Sequence, residues 1–541
     1  MAALLFVKLD VKRARLCTLL VALTVALGTL LLLCLVRRGG DAPGMHSSAS
    51  PLILAQSAVR FQAHPMIWPL AVVLGLASCS FLLAELGSEP GSPLLFSPLS
   101  LLLLALALGG LWSANPMTMI VVWALYDLVF LLGQSVARGE RGVGARSLAV
   151  NVAATVLLWI GVLVAADGTG IVQWSLIPPG GAKMTVWVAA GILRIGVYPL
   201  HFATPSRGEW SAPLTGILFL SPVLGWGLLS RVALINGGAL PGQGWLTILA
   251  AATLVGGATL AWTATSSRDA RPWIGMAVAG ALLLASNLMS VAAQSQGPGA
   301  GSVTSLWILT WGATTWILVV TVLLLGGGLA LPPFRWSWEI FHMVPALVTG
   351  LWIISLPLTL GISGSLRVVT SGHWGLTAAL FVGHVFLVTG VVRWLSSAGW
   401  SEARDVSRLG QVSGGVALVV PGLALIVAGL LPNLLLPNGS GISPTVMLGE
   451  PGLIGWALWI GGVGVGAVLG RYDRHVRRAL SPAIDTAHEL IGLDWAYRLS
   501  AGAFDQGLAV IRTIDDILAG RGALLWSFVL FLSVILVLRL R

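Results

Sequence analysis

The sequence predicts an all-α polytopic membrane protein, and three observations carry this prediction. Hydrophobic residues make up 57% of the 541 residues and charged residues only 9%, whereas soluble proteins carry about 25% charged residues. Apolar runs recur along nearly the whole chain, most of them near the roughly 20 residues that a helix needs to cross a bilayer. Only short polar stretches separate these runs, so almost nothing is left for a soluble domain.

The apolar runs predict about fifteen transmembrane helices. The first run, from 16 to 36, follows Lys8, Lys12, Arg13 and Arg15. It is too long for a signal-peptide core and no small-residue cleavage site follows it, so it is interpreted as a span. The later spans are predicted near 66–86, 94–113, 116–137, 147–166, 183–205 (broken), 212–235, 245–265, 272–293, 303–327, 341–363, 374–397, 414–431, 452–470 and 523–540.

The arginines predict the orientation of these spans. With the N-terminus in the cytoplasm, most loop arginines fall on the cytoplasmic side, as the positive-inside rule requires. The net charge of +10 is therefore a topology signal and does not indicate nucleic acid. The three cysteines all lie in apolar runs and give neither a disulfide framework nor a metal-ligand spacing; they are Cys17, Cys34 and Cys79.

Residues 471–522 differ from the rest because they combine charge with helically spaced apolar residues. Ile484, Ala487 and Ile491 form one such stripe, and Leu508, Ile511, Ile514 and Leu518 continue it. This pattern predicts one or more amphipathic helices along the cytoplasmic surface, interrupted at Pro482 and several glycines. Such a segment is either a connector that follows the membrane surface or a brace for partner subunits.

The most informative stretch is 183–215, where an apolar helix carries Arg194 at its middle and is then broken by prolines. Charge and backbone breaks inside a span are costly and usually mark function. The alternative is an arginine at the membrane interface beside an ordinary helix kink. The breaking residues are Pro199 and Pro205, with His201 between them, and Pro213 opens the next run.

This stretch resembles the broken helix of the antiporter-like subunits of respiratory complex I (NADH-quinone oxidoreductase). That family is related to Mrp-type cation/proton antiporter subunits and membrane-bound hydrogenase subunits. The matching residues are Gly191, Arg194, Pro199-Leu200-His201, Pro205 and Ala212-Pro213. Weaker matches follow the same order along the chain: Ala114-Asn115 with Trp123, Asp269-Ala270-Arg271, and Leu356-Pro357-Leu358 with Gly361.

The resemblance implies two inverted repeats of five helices, each with a broken helix at mid-membrane. It divides the chain into N-terminal helices (1–93), a first repeat (94–235), a second repeat (245–397), additional helices (398–470), the amphipathic segment (471–522) and a final span (523–541). The resemblance also implies a proton relay, which in the family is a polar axis of a glutamate, lysines and histidines through the membrane centre. Protons move along this axis as the lysine pKa values shift.

The sequence departs from the family at that axis. It contains only three lysines, Lys8, Lys12 and Lys183, none deep in a span. Arg194 stands at the key lysine position, and arginine effectively never deprotonates. The glutamate position reads Ala124, and Asp127 lies three residues on, near the same helix face. The deep polar groups that remain are Asp127, Arg194, His201 and His384, with Pro199, Pro205, Pro213, Pro357 and Gly361 as structural breaks.

Each of these residues has a plainer interpretation beside the relay. Asp127 and Arg194 form either part of a residual conducting axis or a static ion pair, because intramembrane charges tend to pair in any case. The family pattern predicts that the two lie within ion-pair reach. His201 either relays protons or hydrogen-bonds the broken backbone, and His384 is more easily explained as a packed, hydrogen-bonded residue.

The sequence therefore leaves three functional hypotheses. The first is a membrane-arm antiporter-like subunit of a complex I-type NAD(P)H/quinone oxidoreductase, with proton translocation weakened or lost. The second is an Mrp-type antiporter or membrane-bound hydrogenase subunit, and the third is a purely structural membrane subunit. No nucleotide-binding fingerprint, CxxC cluster or haem motif occurs, so flavin, iron–sulfur clusters and quinone are expected in partner subunits.

Overall fold

The computed structural model describes residues 11–39, 59–62, 64, 67–86, 96–136, 141–165, 173–174, 177–199, 220–294, 300–326, 336–354, 374–397, 408–430 and 452–493, with shorter pieces between 495 and 535. These residues form α1 (Val11–Gly39), α2 (Trp68–Leu86), α3 (Phe96–Leu111), α4 (Pro116–Val136), α5 (Arg141–Ala165), α6 (Ala182–Ile195), α7 (Ser221–Ile235), α8 (Gln243–Thr263), α9 (Ser267–Gln294), α10 (Ala300–Leu325), α11 (Trp336–Ile353), α12 (Trp374–Ser397), α13 (Arg408–Leu430), α14 (Gly452–Arg471) and α15 (Asp473–Gly492).

The predicted all-α membrane fold is confirmed. Eight of the described helices are long and apolar enough to cross a membrane, and four shorter apolar helices accompany them. In the described ranges, β pairing is limited to one isolated bridge between Phe61 and Ser113. The chain is therefore an integral multi-pass membrane protein, while the count of about fifteen spans stays a prediction.

Burial differs sharply between the helices. α2 is 78% buried and packs against α1, α10 and α13. In contrast, α5 and α14 are only 28% and 22% buried, and their outward side chains are aliphatic, for example Leu163 and Ile460. Exposed aliphatic surface of this kind is what a helix presents to lipid, so these two helices lie at the periphery of the bundle.

α14 is held against α12 by a stripe of glycines at every fourth position. A Cβ at Gly466 would lie 2.7 Å from both the carbonyl oxygen of Val385 and the Cβ of Val388. The Thr389 hydroxyl donates to the Gly466 carbonyl at 3.1 Å. Small residues spaced in this way let two membrane helices approach closely. Gly462 and Gly470 make similarly close approaches to α12.

The chain divides into two compact units, Met1–Ala479 and Leu480–Arg541, and α15 contains the boundary. Its backbone leaves the helical region at Leu480 (φ −117°, ψ 17°). Pro482 follows two residues later, and proline breaks a helix because its nitrogen has no hydrogen to donate. Beyond this kink, Ile484 of the predicted apolar stripe is 4% exposed, and Ala487 and Ile491 are half-buried. Leu508, Ile511, Ile514 and Leu518 lie outside the described residues.

Candidate ion-pair site in the membrane core

The site begins with the way in which helix α6 ends. Gly196 adopts the left-handed conformation (φ 78°, ψ 44°), and its N–H lies 3.2 Å from the carbonyls of both Ile192 and Leu193. Glycine reaches this conformation without steric cost, which makes it the common residue after a helix. The helix therefore stops before Pro199, and Arg194 lies in its last turn. Our expectation that Arg194 sits at mid-helix is wrong, because the glycine ends the helix first.

Arg194 and Asp127 form a bidentate ion pair between α6 and α4. Arg194 Nη2 donates to Asp127 Oδ1 at 2.6 Å, and Nη1 donates to Oδ2 at 3.2 Å. The arginine side chain is 0% exposed and the aspartate side chain 5%. The predicted pairing is confirmed. Ala124, at the position that the family pattern gives to a glutamate, is exposed. Asp127, the acidic residue of α4, lies on the buried side of the helix.

Helix α5 supplies the polar neighbours of this pair. The Thr155 hydroxyl lies 3.1 Å from Asp127 Oδ2, 3.1 Å from the Asn151 carbonyl and 3.4 Å from Arg194 Nη1. A hydroxyl has one hydrogen to donate, so Thr155 serves one of the two acceptors at a time and can accept from the arginine throughout. One turn earlier, the Asn151 side chain lies 3.4 Å from the Ser221 hydroxyl at the start of α7.

Aromatic rings close the remaining sides of the guanidinium. The Cζ of Arg194 lies 4.4 Å from the ring centroid of Trp123 and 5.5 Å from that of Tyr126. Trp123 precedes Asp127 by one helical turn, so α4 presents a ring and a carboxylate to the same arginine. Such cation–π contacts stabilise a desolvated cation by about 2 kcal/mol. The positive charge is therefore compensated on several sides and kept away from water.

The arrangement joins two buried groups of opposite formal charge in one bidentate contact. In a bidentate pair of this kind, the guanidinium presents two parallel N–H groups to the two carboxylate oxygens. Removing one partner of such a buried pair costs about 3–5 kcal/mol, because the other charge stays behind without compensation. The ion pair therefore holds α4 and α6 together.

The other predicted site residues are not brought to this pair by the described part of the chain. His384 lies on α12, where a Cβ at Gly462 would be 3.0 Å from its Cδ2. Its Nε2 is buried and has no hydrogen-bond partner among the described residues. Pro199 is exposed. His201, Pro205, Pro213, Pro357 and Gly361 lie outside the described residues.

Sequence reasoning missed several other buried ionisable residues. Arg231 is 5% exposed, Glu85 1% and Arg271 8%. Each lies near a helix end, where charged side chains commonly reach the interface, so the sequence gave no reason to expect them inside. The sequence predicts four deep polar groups: Asp127, Arg194, His201 and His384. The buried residues above show that this set is incomplete.

In the predicted second repeat, the described helix α10 carries several buried polar groups that are uncharged. The hydroxyls of Thr314, Thr315 and Thr321 on α10 donate to carbonyls of their own helix. Two tryptophans on the same helix donate to neighbouring backbones: Trp311 to the Ala428 carbonyl at 2.9 Å and Trp316 to the Gly275 carbonyl at 2.8 Å. Buried neutral groups satisfied in this way stabilise packing and do not exchange protons with water.

The fold is similar to chains of three solved membrane complexes. A chain of the Mrp complex from Dietzia sp. DQ12-45-1b superposes with a TM-score of 0.68 at 16% identity, covering 97% of this chain and 63% of that one. This protein thus spans less than two thirds of that chain. A chain of the membrane-bound sulfane sulfur reductase, an archaeal respiratory membrane complex, superposes with a TM-score of 0.67 at 14% identity over 99% of this chain and 98% of that one.

Respiratory complex I from Thermus thermophilus with bound NADH contains a third similar chain. Its TM-score is 0.59 at 17% identity, covering 86% of this chain and 97% of that one. No protein-family model and no curated protein matches the sequence. At these identities the likeness establishes the fold, which is the fold that the sequence resemblance implied. The class of protein is therefore an integral membrane protein with the fold of Mrp and complex I membrane chains.

Proposed function

We propose that this protein is an antiporter-like membrane-arm subunit of a complex I-type oxidoreductase, with proton translocation weakened or lost. The fold extends over nearly the full length of chains from two respiratory complexes, and the amphipathic α15 suits contact with other subunits. In this proposal the redox groups (flavin, iron–sulfur clusters and quinone) belong to partner subunits. The chain lies in a bacterial cytoplasmic membrane with its N-terminus in the cytoplasm.

The observation that carries the loss of proton translocation is the enclosed Asp127–Arg194 pair. At the position where the family pattern has a lysine, Arg194 is 0% exposed and bound at 2.6 Å. A lysine relay works because burial can bring the lysine pKa near neutrality, whereas arginine stays charged.

The alternative is a subunit of an Mrp-type cation/proton antiporter or of a membrane-bound hydrogenase. The likeness to the Mrp chain, with a TM-score of 0.68 over 97% of this protein, favours it. An antiporter needs groups that change charge, and the scarcity of lysine weighs against it. Co-purification separates the candidates: flavin and iron–sulfur subunits support the oxidoreductase, and a set of cation-transporting membrane subunits supports the Mrp type. Evolution of hydrogen gas by the purified assembly would indicate a hydrogenase.

Substitution of Arg194 tests the proposal in membrane vesicles, with protons pumped per electron as the measurement. We expect Arg194→Lys and Arg194→Met to leave this ratio unchanged, because the pair conducts nothing. Arg194→Met should lower the amount of assembled complex, since Asp127 is left buried without its partner. The double variant Asp127→Asn/Arg194→Met, which leaves no charge behind, should recover much of that assembly. A complex that stays intact and keeps its electron-transfer rate but loses pumping in Arg194→Met would overturn the proposal.

A further inference from the structure

Two arginines outside the ion-pair site occupy matching places in the two predicted repeats. Each lies near the end of a repeat's last helix, Arg231 on α7 and Arg393 on α12. Arg231 Nη2 donates to the Leu111 carbonyl, the last of α3, at 2.6 Å. Arg393 donates to the carbonyls of Trp262, Ala264 and Thr265 at 3.0, 2.6 and 2.9 Å, where α8 ends.

Both contacts satisfy carbonyls that a helix cannot satisfy itself, because its last four carbonyl groups have no partner within the helix. In each predicted repeat, the arginine of the last helix therefore covers the C-terminal end of the first helix. The positive charge also suits the negative end of the helix dipole. Arg231 is 5% exposed, so its charge is held well inside the protein surface.

The two contacts lie at opposite ends of the helix bundle. Arg231 places the C-terminal end of α7 beside Leu111, and α8 begins at Gln243, eight residues after α7 ends at Ile235. α8 then runs for 21 residues to Thr263, a length of roughly 32 Å at 1.5 Å per residue. That distance is about the thickness of the hydrocarbon core. We call the two ends the Leu111 face and the Thr263 face.

At the Leu111 face, a strap formed by residues 59–62 lies over the end of α3. Gln62 N donates to the Trp112 carbonyl at 2.7 Å, and Ala114 N donates to the Arg60 carbonyl at 2.8 Å. Arg60 N donates to the Thr118 hydroxyl at 3.0 Å. Trp174 adds a second layer: its N–H lies 3.3 Å from the Ala114 carbonyl, and its ring centroid is 5.9 Å from Arg231 Cζ.

At the Thr263 face, the start of α15 covers the end of α8, as residues 59–62 cover the end of α3 at the other face. Arg477 Nη2 donates to the Trp262 carbonyl, and Nη1 lies 3.5 Å from the Thr263 carbonyl. Asp473 accepts from Arg477 Nε at 3.0 and 2.9 Å and lies 3.4 Å from Arg393 Nε. One carboxylate thus holds two arginines against the end of α8.

We propose that these two clusters are permeability seals in series, one at each face of the membrane. Each seal combines an arginine of its own predicted repeat with an element from outside that repeat, the strap at the Leu111 face and the start of α15 at the Thr263 face. Helix ends expose backbone groups that attract water, and covering them removes the polar surface on which water would enter. A fixed guanidinium at each end also repels passing cations. This inference does not depend on which assembly contains the protein.

Seals in series make a specific prediction about ion leak, because one intact seal is enough to block the path. The test uses the purified assembly in liposomes, with proton leak measured after a potassium diffusion potential is applied. Arg231→Gln alone and Arg393→Gln alone should leave the leak within about twofold of the parent. The double variant should raise it by at least about tenfold, the factor given by each 1.4 kcal/mol removed from a barrier.

Arg478→Gln is the matched control, since Arg478 follows Arg477 directly, is exposed and loses the same charge. It should leave the leak unchanged alone and combined with Arg231→Gln. A double Arg231→Gln/Arg393→Gln variant that assembles and leaks no more than the parent would overturn the proposal. A single variant that leaks as much as the double would overturn the series arrangement.

A second experiment, based on thiol accessibility, applies if variants of the buried arginines fail to assemble. In a background with Cys17, Cys34 and Cys79 replaced by serine, Thr259→Cys places a thiol one turn below the Thr263 face; Thr259 is 6% exposed. We expect a membrane-impermeant thiol reagent to leave it unmodified from either side. Arg477→Gln, which changes a partly exposed residue, should make it reactive from the Thr263 face alone. Equal reactivity with and without Arg477→Gln would contradict the seal.

Discussion

At the scale of single residues, the buried charge of Arg194 is compensated by several neighbours of different chemistry. Arg194 is paired with Asp127, touched by the Thr155 hydroxyl and faced by the Trp123 ring. Each contact removes part of the desolvation cost that a lone cation would carry in a bilayer. The result holds two neighbouring helices, α4 and α6, together.

His64, which lies outside the spans, is half-buried, and its charged form is disfavoured rather than compensated. Burial and the positive charge of Arg231 lower the pKa of His64 from 6.5 to about 4, because both disfavour the charged imidazole. As the pH falls below 6.5, the unfolded chain binds this proton first. The free energy of unfolding therefore declines from about pH 6.5 to pH 4 through this residue, by up to about 1.4 kcal/mol per pH unit.

We expect His64→Gln to flatten that decline. The measurement is the thermal unfolding midpoint of the purified protein in detergent at pH 7 and at pH 5. The parent should lose more stability between the two than the variant, because glutamine takes up no proton in either state. Other groups titrate in both proteins and cancel in the comparison. Equal losses for parent and variant would show that His64 does not titrate as its surroundings require.

Sequence reasoning reached Asp127–Arg194 but not Arg231, and the reason is physical. The match between the broken helix and the family pattern placed Arg194, and helical spacing placed Asp127 near the expected acidic position. Arg231 contacts Leu111 across 120 residues of chain, and no local pattern encodes such a contact. The partners of His64 are equally distant in sequence, since Arg231 lies on α7. Long-range contacts of this kind appear only after the helices pack.

At the scale of helices, glycine decides both where a helix ends and how closely two helices pack. The sequence predicted a break near Pro199, and the structure puts the helix end earlier, at Gly196. The bounds of α12, predicted as 374–397, match Trp374–Ser397, because long apolar runs are easy to delimit. The close packing of α14 on α12 was not predicted, since glycine spacing alone does not identify the partner helix.

Two glycines on α14 allow a matched test of that packing. A Cβ at Gly466 would meet α12 backbone at 2.7 Å, whereas a Cβ at Gly464 would find nothing within 4 Å. Gly466→Ala should therefore destabilise the protein by about 1–3 kcal/mol, the usual cost of overpacking, and Gly464→Ala should be neutral or slightly stabilising, since alanine favours helix. Thermal midpoints in the same detergent decide the matter; equal midpoints for the two variants would refute the glycine contact.

At the scale of the whole molecule, the sequence predicts an amphipathic segment after the helix bundle. The arginine distribution and the apolar stripe of α15 both favour a position on the cytoplasmic surface. The chain of Met1–Ala479 is one compact unit and Leu480–Arg541 another. Because the stripe is short and the polar residues around it are exposed, α15 has little of its own core to stabilise it, which suits a segment that is completed by another subunit.

We therefore expect residues 471–522 to contact a partner subunit and to brace the assembly. Specific protease sites introduced after Gly492 and near 520 would release the intervening segment from purified complex without removing α14 or the last span. Cleavage at both sites should loosen the assembly in mild detergent, seen as loss of whole subunits on size-exclusion chromatography, because a brace acts only while its chain is continuous. A single site placed near 440, in the sequence between α13 and α14, is the control and should leave the subunits together. If double cleavage leaves the complex as compact and as complete as the control does, then the part of the segment that follows α15 is a connector along the membrane surface and does not brace the assembly.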